Sequence, residues 1–270
     1  MLLLRRCGVV KFYKYEALGN DFVLVDTRRR GPLELTPGRV RVVCARHTGI
    51  GADGILVLSD DPTAAAKMSI YNADGSEAQM CGNGLRCVAD FLLREGIQNQ
   101  TLVRVGPSEH IVRAQGINKF SVQLGAVQPI LPEVVRTDVG GRILDADLIR
   151  VGNPHAVLCV PSEDVQGFAK AHGALLSTEL WQGGTLNVSF VYPEGGRLIA
   201  AVYERGVGLT QACGSGACAI AYVAKRRGLV QGDPVSVHLP GGTLEVSFDE
   251  SGRAWLTGPA RQVFWGEWAF

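Results

Sequence analysis

Apolar and polar residues alternate along Val9–Tyr15 and again along Phe22–Asp26, with Leu18-Gly19-Asn20-Asp21 between them. This is the pattern of two strands joined by a tight turn. Thr36-Pro37 offers a helix N-cap and a first-turn proline, predicting a helix to about His47. Ile55–Leu58 and Met68–Asn72 read as strands. After Cys81 the period lengthens: Leu85, Val88, Ala89 and Leu92 share one helical face, and Gly96 ends the helix. Short strands follow at Thr101–Val105, Ile111–Ala114 and Phe120–Leu124.

The second half uses the same grammar. Val157–Val160, Leu186–Tyr192 and Leu198–Tyr203 are strand-like, and a helix follows Cys213. Within it Ala217–Ala224 is apolar on every side, which predicts burial all round. Lys225, Arg226, Arg227 and Gly228 suit its C-terminal end. Val235–Leu239, Leu244–Phe248 and Ala254–Thr257 complete the strands, and the proline-containing stretch Val127–Glu133 reads as a crossover.

Two motif pairs set these halves in register. Cys81-Gly-Asn-Gly and Cys213-Gly-Ser-Gly stand 132 residues apart, each with a Gln two residues upstream (Gln79, Gln211). Gly19-Asn20-Asp21-Phe22 and Gly152-Asn153-Pro154-His155 stand 133 apart. Nine residues before each cysteine a polar residue ends a strand-like run, Asn72 in one half and Glu204 in the other. Such spacing predicts a duplicated unit. The expected fold is α/β (α+β): two pseudo-symmetric units, each a curved, mostly antiparallel sheet wrapped around a central helix, with the active site in the cleft between them. The expected boundaries are 1–127 with 259–270 for the Cys81 half, and 128–258 for the Cys213 half.

Composition narrows the function. With 27 basic and 26 acidic side chains in 270 residues the net charge is +1, too balanced for a nucleic-acid partner. No apolar run reaches the length of a membrane span. Leu2–Leu4 precedes Arg5-Arg6, the wrong order for a secretory signal, so Met1–Val10 reads as an extension into the first strand and the protein as cytoplasmic. Glycine, at 34 residues, is in excess of the usual ~7%, and seven cysteines are an odd number for a disulfide scaffold.

The glycine and cysteine excesses coincide at the two repeated motifs. A cysteine before a glycine-rich turn that opens a helix has definite chemistry. The helix start stabilises anions, glycine admits a close approach, and the thiolate is favoured. If the halves face each other, two such cradles hold one carboxylate and two thiols flank its α-carbon. One thiolate removes the α-proton and the opposite thiol returns a proton to the other face. This needs no metal or other cofactor, and none of the six lysines has a setting for pyridoxal phosphate.

At this point the sequence resembles the diaminopimelate epimerase family over nearly its whole length. The resemblance rests on Gly19-Asn20-Asp21-Phe22, Gly49-Ile50-Gly51-Ala52-Asp53, Asn72-Ala73-Asp74-Gly75-Ser76, Cys81-Gly82-Asn83-Gly84, Gly152-Asn153-Pro154-His155, Tyr203-Glu204-Arg205-Gly206 and Cys213-Gly214-Ser215-Gly216-Ala217-Cys218, in that order. It implies a cofactor-independent isomerase that interconverts L,L- and meso-diaminopimelate in lysine and peptidoglycan-precursor synthesis. It implies that Cys81 and Cys213 are the acid/base thiols and that His155 and Glu204 tune them. Gly82, Asn83, Gly214 and Ser215 would hold the α-carboxylate. Asn20, Asn72, Asn153, Asn187 and Arg205 would read the distal groups, with Glu204 also against substrate. A homodimer is implied too, since family members are often dimers. The chain departs from the family where Gly54 stands in place of a common Gln, which puts one substrate contact in doubt.

Plainer readings stand beside these. Cys87 and Cys218 fall inside apolar helices and read as packing, as do Cys7, Cys44 and Cys159. His155, aligned with Phe22, is structural as far as periodicity goes. Arg28-Arg29-Arg30 reads as a solvated loop, and His47, His110, His172 and His238 carry no signal. Zinc at Cys81/Cys87 or Cys213/Cys218 has the wrong spacing, whereas a Cys81–Cys213 disulfide is a conceivable side reaction. The alternatives are a proline or hydroxyproline racemase of the same fold, and a non-catalytic thiol or metal-binding protein.

Overall fold

The computed structural model describes residues 9–29 and 31–269. The predicted extension before Val9, with Cys7, and Arg30 of the charge run lie outside the described residues. The chain divides into two compact units, Met1–Phe120 with Pro259–Phe270, and Ser121–Gly258.

In chain order the first part contains β1 (Val9–Ala17), β2 (Asn20–Asp26), α1 (Pro37–Cys44), β3 (Gly54–Ser59), β4 (Ala66–Asn72), β5 (Glu77–Ala78), α2 (Gly82–Arg94), β6 (Gln100–Val105), β7 (Ser108–Gly116) and β8 (Lys119–Ala126). There follow β9 (Gln128–Asp138), β10 (Ile143–Val151), β11 (Asn153–Cys159), α3 (Val165–Glu179), β12 (Asn187–Glu194), β13 (Arg197–Glu204) and β14 (Gly208–Thr210). The last elements are α4 (Gly214–Arg226), β15 (Val235–Leu239), β16 (Gly242–Phe248), β17 (Arg253–Pro259) and β18 (Arg261–Ala269).

The units share one strand order. In the first it runs β18, β1, β2, β3, β4, β6, β7, antiparallel except for β2 with β3 and β4 with β6. In the second it runs β9, β10, β11, β12, β13, β15, β16, with β11–β12 and β13–β15 parallel. Beyond β16 the second unit adds β17, which also pairs with β8. The helix α2 packs on β1, β2 and β18 and also on β7, strands from both ends of its sheet, so that sheet curls around it. Likewise α4 packs on β10, β11, β12, β15 and β16.

Each central helix has 13 residues and ends in the same motif. Gly96 donates to Leu93 O and Ile97 to Leu92 O; Gly228 donates to Lys225 O and Leu229 to Ala224 O. Both glycines have positive φ, +81° and +69°, as this left-handed cap requires. Burial on all sides of α4 agrees with its apolar sequence. That of α2 does not follow from its sequence, for Arg86 and Asp90 on its polar face are buried as well.

Several expectations need correction. Val127–Glu133 is not a bare crossover, because from Gln128 it belongs to β9. Among the described residues β9 pairs only with β10, so Pro129 and Pro132 fall on an exposed edge, where a missing N–H costs no ladder bond, and the register shifts there. The helix after Pro37 stops at Cys44, short of His47. Arg28 is not solvated: its Nε and Nη2 grip both oxygens of Asp26 at 2.9 and 3.0 Å, and its Nη1 donates to Ala65 O at 3.2 Å. α3, β10 and β18 have no counterpart among the elements the sequence predicts. No helix among the described residues is long and apolar enough to cross a membrane.

Candidate active site

The chain enters Cys81 extended (φ −149°, ψ 106°) and turns helical at Gly82, so Cys81 is the N-cap of α2. Its Sγ accepts from the Gly84 N–H at 3.3 Å. Cys213 holds the same N-cap position on α4 with a similarly extended backbone (φ −118°, ψ 112°). First-turn N–H groups have no acceptor within a helix, and each start carries partial positive charge. The second glycine of each motif is a packing requirement. A Cβ at Gly84 would lie 3.0 Å from Leu56 Cδ2, and one at Gly216 would lie 3.1 Å from Val202 Cγ2 and 3.3 Å from the Cys213 sulfur.

In the first unit the residues around Cys81 form a polar chain. The Asn83 amide accepts from Arg86 Nη2 at 2.8 Å and donates to Asn20 Oδ1 at 3.1 Å. Asn20 donates to Asp53 Oδ2 at 2.9 Å. Asp53 also accepts from Arg46 Nη2 at 2.6 Å and from the Asp21 N–H at 3.1 Å. Arg46 and Lys14 both pair with Asp21, holding its carboxyl well below the usual carboxylate range, at about 2. Asn72 is exposed and donates to Ser76 Oγ at 3.0 Å, closing the turn before β5.

In the second unit Cys213 is buried with Glu204 and Ser215 beside it. Burial, then the neighbouring Glu204 charge, push its thiol well above the ordinary range, while Gly216 and Ser215 oppose this weakly. Ser215 Oγ lies 3.6 Å from the sulfur and 3.0 Å from His155 Nε2. Burial also raises the Glu204 carboxyl, which accepts from Thr210 Oγ1 at 2.8 Å. His155 is fully buried, and burial, helped by the Arg205 charge, lowers it to about 3, so its ring is neutral. Asn187 accepts from the Arg205 N–H at 2.9 Å, which turns its amide nitrogen toward His155 Nε2 at 3.4 Å. The Arg205 side chain is exposed and forms no ion pair among the described residues. Asn153 begins β11 half-buried, and Gly214 is buried at the start of α4.

The structure therefore brings Asn20, Gly82 and Asn83 together with Cys81, and His155, Asn187, Glu204, Gly214 and Ser215 together with Cys213. The repeat explains Gly54. In the parallel ladders Phe22 pairs with Gly54 as His155 pairs with Asn187, so Gly54 is the counterpart of Asn187. A Cβ at Gly54 would lie 2.5 Å from Tyr71 O, leaving no room for a side chain. Arg86, Asp53 and Thr210 were missed by sequence reasoning. Asp53 sits in the Gly-Ile-Gly-Ala-Asp string and was legible, whereas Arg86 looks like a solvent-facing helix residue. Among the described residues no group of three or more His, Cys, Asp and Glu is placed to hold a metal ion.

Two like units, each a sheet curled around a central helix, form a fold that the chain shares with solved structures, among them a methylitaconate-delta-isomerase at a TM-score of 0.64 and 13% identity over 97% of this chain and 95% of that chain. A hydroxyproline epimerase from Agrobacterium vitis matches with a TM-score of 0.72 and 16% identity, over 100% of this chain and 94% of that chain, a likeness of fold. The profile of the Diaminopimelate epimerase family matches residues 12–128 and 148–263. A diaminopimelate epimerase from Desulfitobacterium hafniense is 36% identical over 277 residues, 95% of this chain and 97% of that protein. One from Rhizorhabdus wittichii is 37% identical over 275 residues, 96% of this chain and 95% of that protein. The chain belongs to the diaminopimelate epimerase family.

Proposed function

We propose that the protein interconverts L,L- and meso-diaminopimelate without a cofactor, with Cys81 and Cys213 as the two bases. The observation that carries this reading is the repeated N-cap cysteine, one at the start of each central helix, in a chain of this family. In the thiolate form one sulfur takes the α-proton and the C–H electron pair spreads into the carboxylate. The other thiol gives its proton to the opposite face, so the roles exchange with each turnover and the charge balances. The two helix starts, through Gly82, Asn83, Gly214 and Ser215, stabilise the growing negative charge on the α-carboxylate.

The remaining roles follow the local chemistry. A neutral His155 beside Ser215, and Glu204 beside Cys213, govern protonation of that thiol. Asn20, Asn72, Asn153, Asn187 and Arg205 read the distal end, where an exposed guanidinium without an ion pair suits a second carboxylate. That argues for diaminopimelate over proline, which has one charged end fewer. With its family, we read the protein as a cytoplasmic homodimer serving lysine and peptidoglycan-precursor synthesis, which sedimentation analysis would check for oligomeric state.

The test is α-proton exchange in deuterated water with no added cofactor. Wild-type protein is expected to exchange and epimerise diaminopimelate and to leave proline unchanged. Cys81→Ala and Cys213→Ala are each expected to lose epimerisation by at least about 100-fold, the lower range for removal of an acid/base group. Unchanged turnover in either variant would sink the two-base assignment, and turnover of proline alone would favour the racemase.

A further inference from the structure

Arg86 is the largest fully buried side chain among the described residues, and a buried guanidinium calls for an explanation. It lies in the second turn of α2, where Nε donates to Pro259 O at 3.2 Å, Nη1 to Gly82 O at 3.4 Å and Nη2 to Asn83 Oδ1 at 2.8 Å. The counterpart of Arg86 in the second unit is Cys218, also buried. The repeat unit therefore packs without a guanidinium here, and packing alone does not account for the one in the first unit.

The chemistry of the chain that starts at Arg86 supplies the explanation. A guanidinium only donates and a carboxylate only accepts, while an amide does both. From Arg86 the bonds run to Asn83 Oδ1, from Asn83 Nδ2 to Asn20 Oδ1, and from Asn20 Nδ2 to Asp53 Oδ2. An asparagine amide can normally turn end for end at small cost. Here a turned Asn83 would set N–H against N–H at Arg86, and a turned Asn20 would set oxygen against oxygen at Asp53. The donor-only and acceptor-only ends fix the sense of both amides. Asp53 is itself fixed through Arg46 at 2.6 Å and the Asp21 N–H at 3.1 Å.

We propose that Arg86 and Asp53 are positioning residues that set which way the Asn83 and Asn20 amides face, and so which polar atoms Asn20 offers to substrate. This rests on the epimerase reading, in which Asn20 is a substrate-binding residue. Neither Arg86 nor Asp53 need touch substrate. Each acts through the asparagine next to it.

Steady-state kinetics of the full chain with diaminopimelate tests this, after wild-type turnover has established the substrate. Failure of the wild type would count against the epimerase reading; the comparison of variants addresses only the positioning role. Arg86→Met removes the donor at similar length. It is expected to raise KM about tenfold with kcat within about twofold, the signature of lost binding common to ground and transition states. Arg86→Lys, which still donates, is expected to return KM to within about threefold of wild type. A merely structural role would reduce the active fraction, lowering kcat at constant KM. Asp53→Leu frees the other end at a partly exposed position and guards against a misfolded Arg86 variant. It is expected to raise KM similarly, and the double variant to depart from the product of the two effects, because both ends act on the same pair of amides. Unchanged KM in the folded single variants, failure of lysine to restore it, or fully multiplicative effects would each overturn the proposal.

Discussion

At the scale of single residues, the two cysteines share a backbone setting but not an electrostatic one. Cys81 is half-buried and accepts an N–H, whereas Cys213 is buried against Glu204, whose charge raises its thiol further. Removing that charge lowers the thiol's proton affinity. Glu204→Gln is therefore expected to speed alkylation of Cys213 by iodoacetamide near pH 8, read by peptide mass spectrometry, while Glu204→Asp is expected to stay close to wild type. Slower alkylation in the Gln variant would contradict the assigned direction. The matching N-cap positions of both cysteines were legible in the sequence, because the Cys-Gly-x-Gly string occurs twice in register. The burial of Arg86 was not. On a helical wheel it stands to the side of the face shared by Leu85, Val88, Ala89 and Leu92, and only the curl of the sheet around α2 makes that side an interior one.

At the scale of elements, α3 shows why some helices escape a reading of periodicity. Its sequence VQGFAKAHGALLSTE contains Gly167 and Gly173, and glycine is a poor helix former. The start is nevertheless fixed by Asp164, whose Oδ1 accepts from the Gly167 N–H at 2.9 Å. Gly173 serves packing: an added Cβ would lie 2.5 Å from Tyr203 Cγ on β13. In a free helix Gly→Ala would stabilise by up to about 1 kcal/mol. Gly173→Ala is expected instead to destabilise by about 1–3 kcal/mol, the usual cost of overpacking, and to lower the urea midpoint. A raised midpoint would show that α3 moves away from β13 at no cost. β9 escaped for a different reason, since its prolines signal a break unless one knows the strand is an edge.

At the scale of the whole molecule, acid sensitivity is the expected cost of a buried neutral histidine. His155 protonates at about 3 when folded, against an ordinary value of 6.5. Between these values the unfolded chain binds a proton that the folded one refuses. The His155 contribution is thus fully present above the unfolded value and is lost as pH falls, at up to about 1.4 kcal/mol per pH unit. Phe22 holds the equivalent place in the first unit, so His155→Phe is a natural control. It is expected to flatten the fall of unfolding free energy from pH 6 towards pH 4, measured by urea titration. An unchanged slope would mean that the imidazole is not the group responsible. The duplicated plan itself was legible, since two motif pairs share nearly one offset and the strand orders agree. The sequence already assigned 259–270 to the Cys81 half, but not the strand β18 that completes that unit along β1, because edge pairing leaves no periodic trace.

That completion has a consequence for the order of synthesis. β18 pairs along β1 and lies against α2, yet Arg261–Ala269 follow every strand of the second unit in the chain. On the ribosome the second unit has all its strands before the first acquires its closing one. Until then the outer edge of β1 is bare and one side of α2 is uncovered, an open template for mispairing. The half of the protein that is translated first is thus the last to be finished, and its waiting edge is where a chaperone would have most to protect.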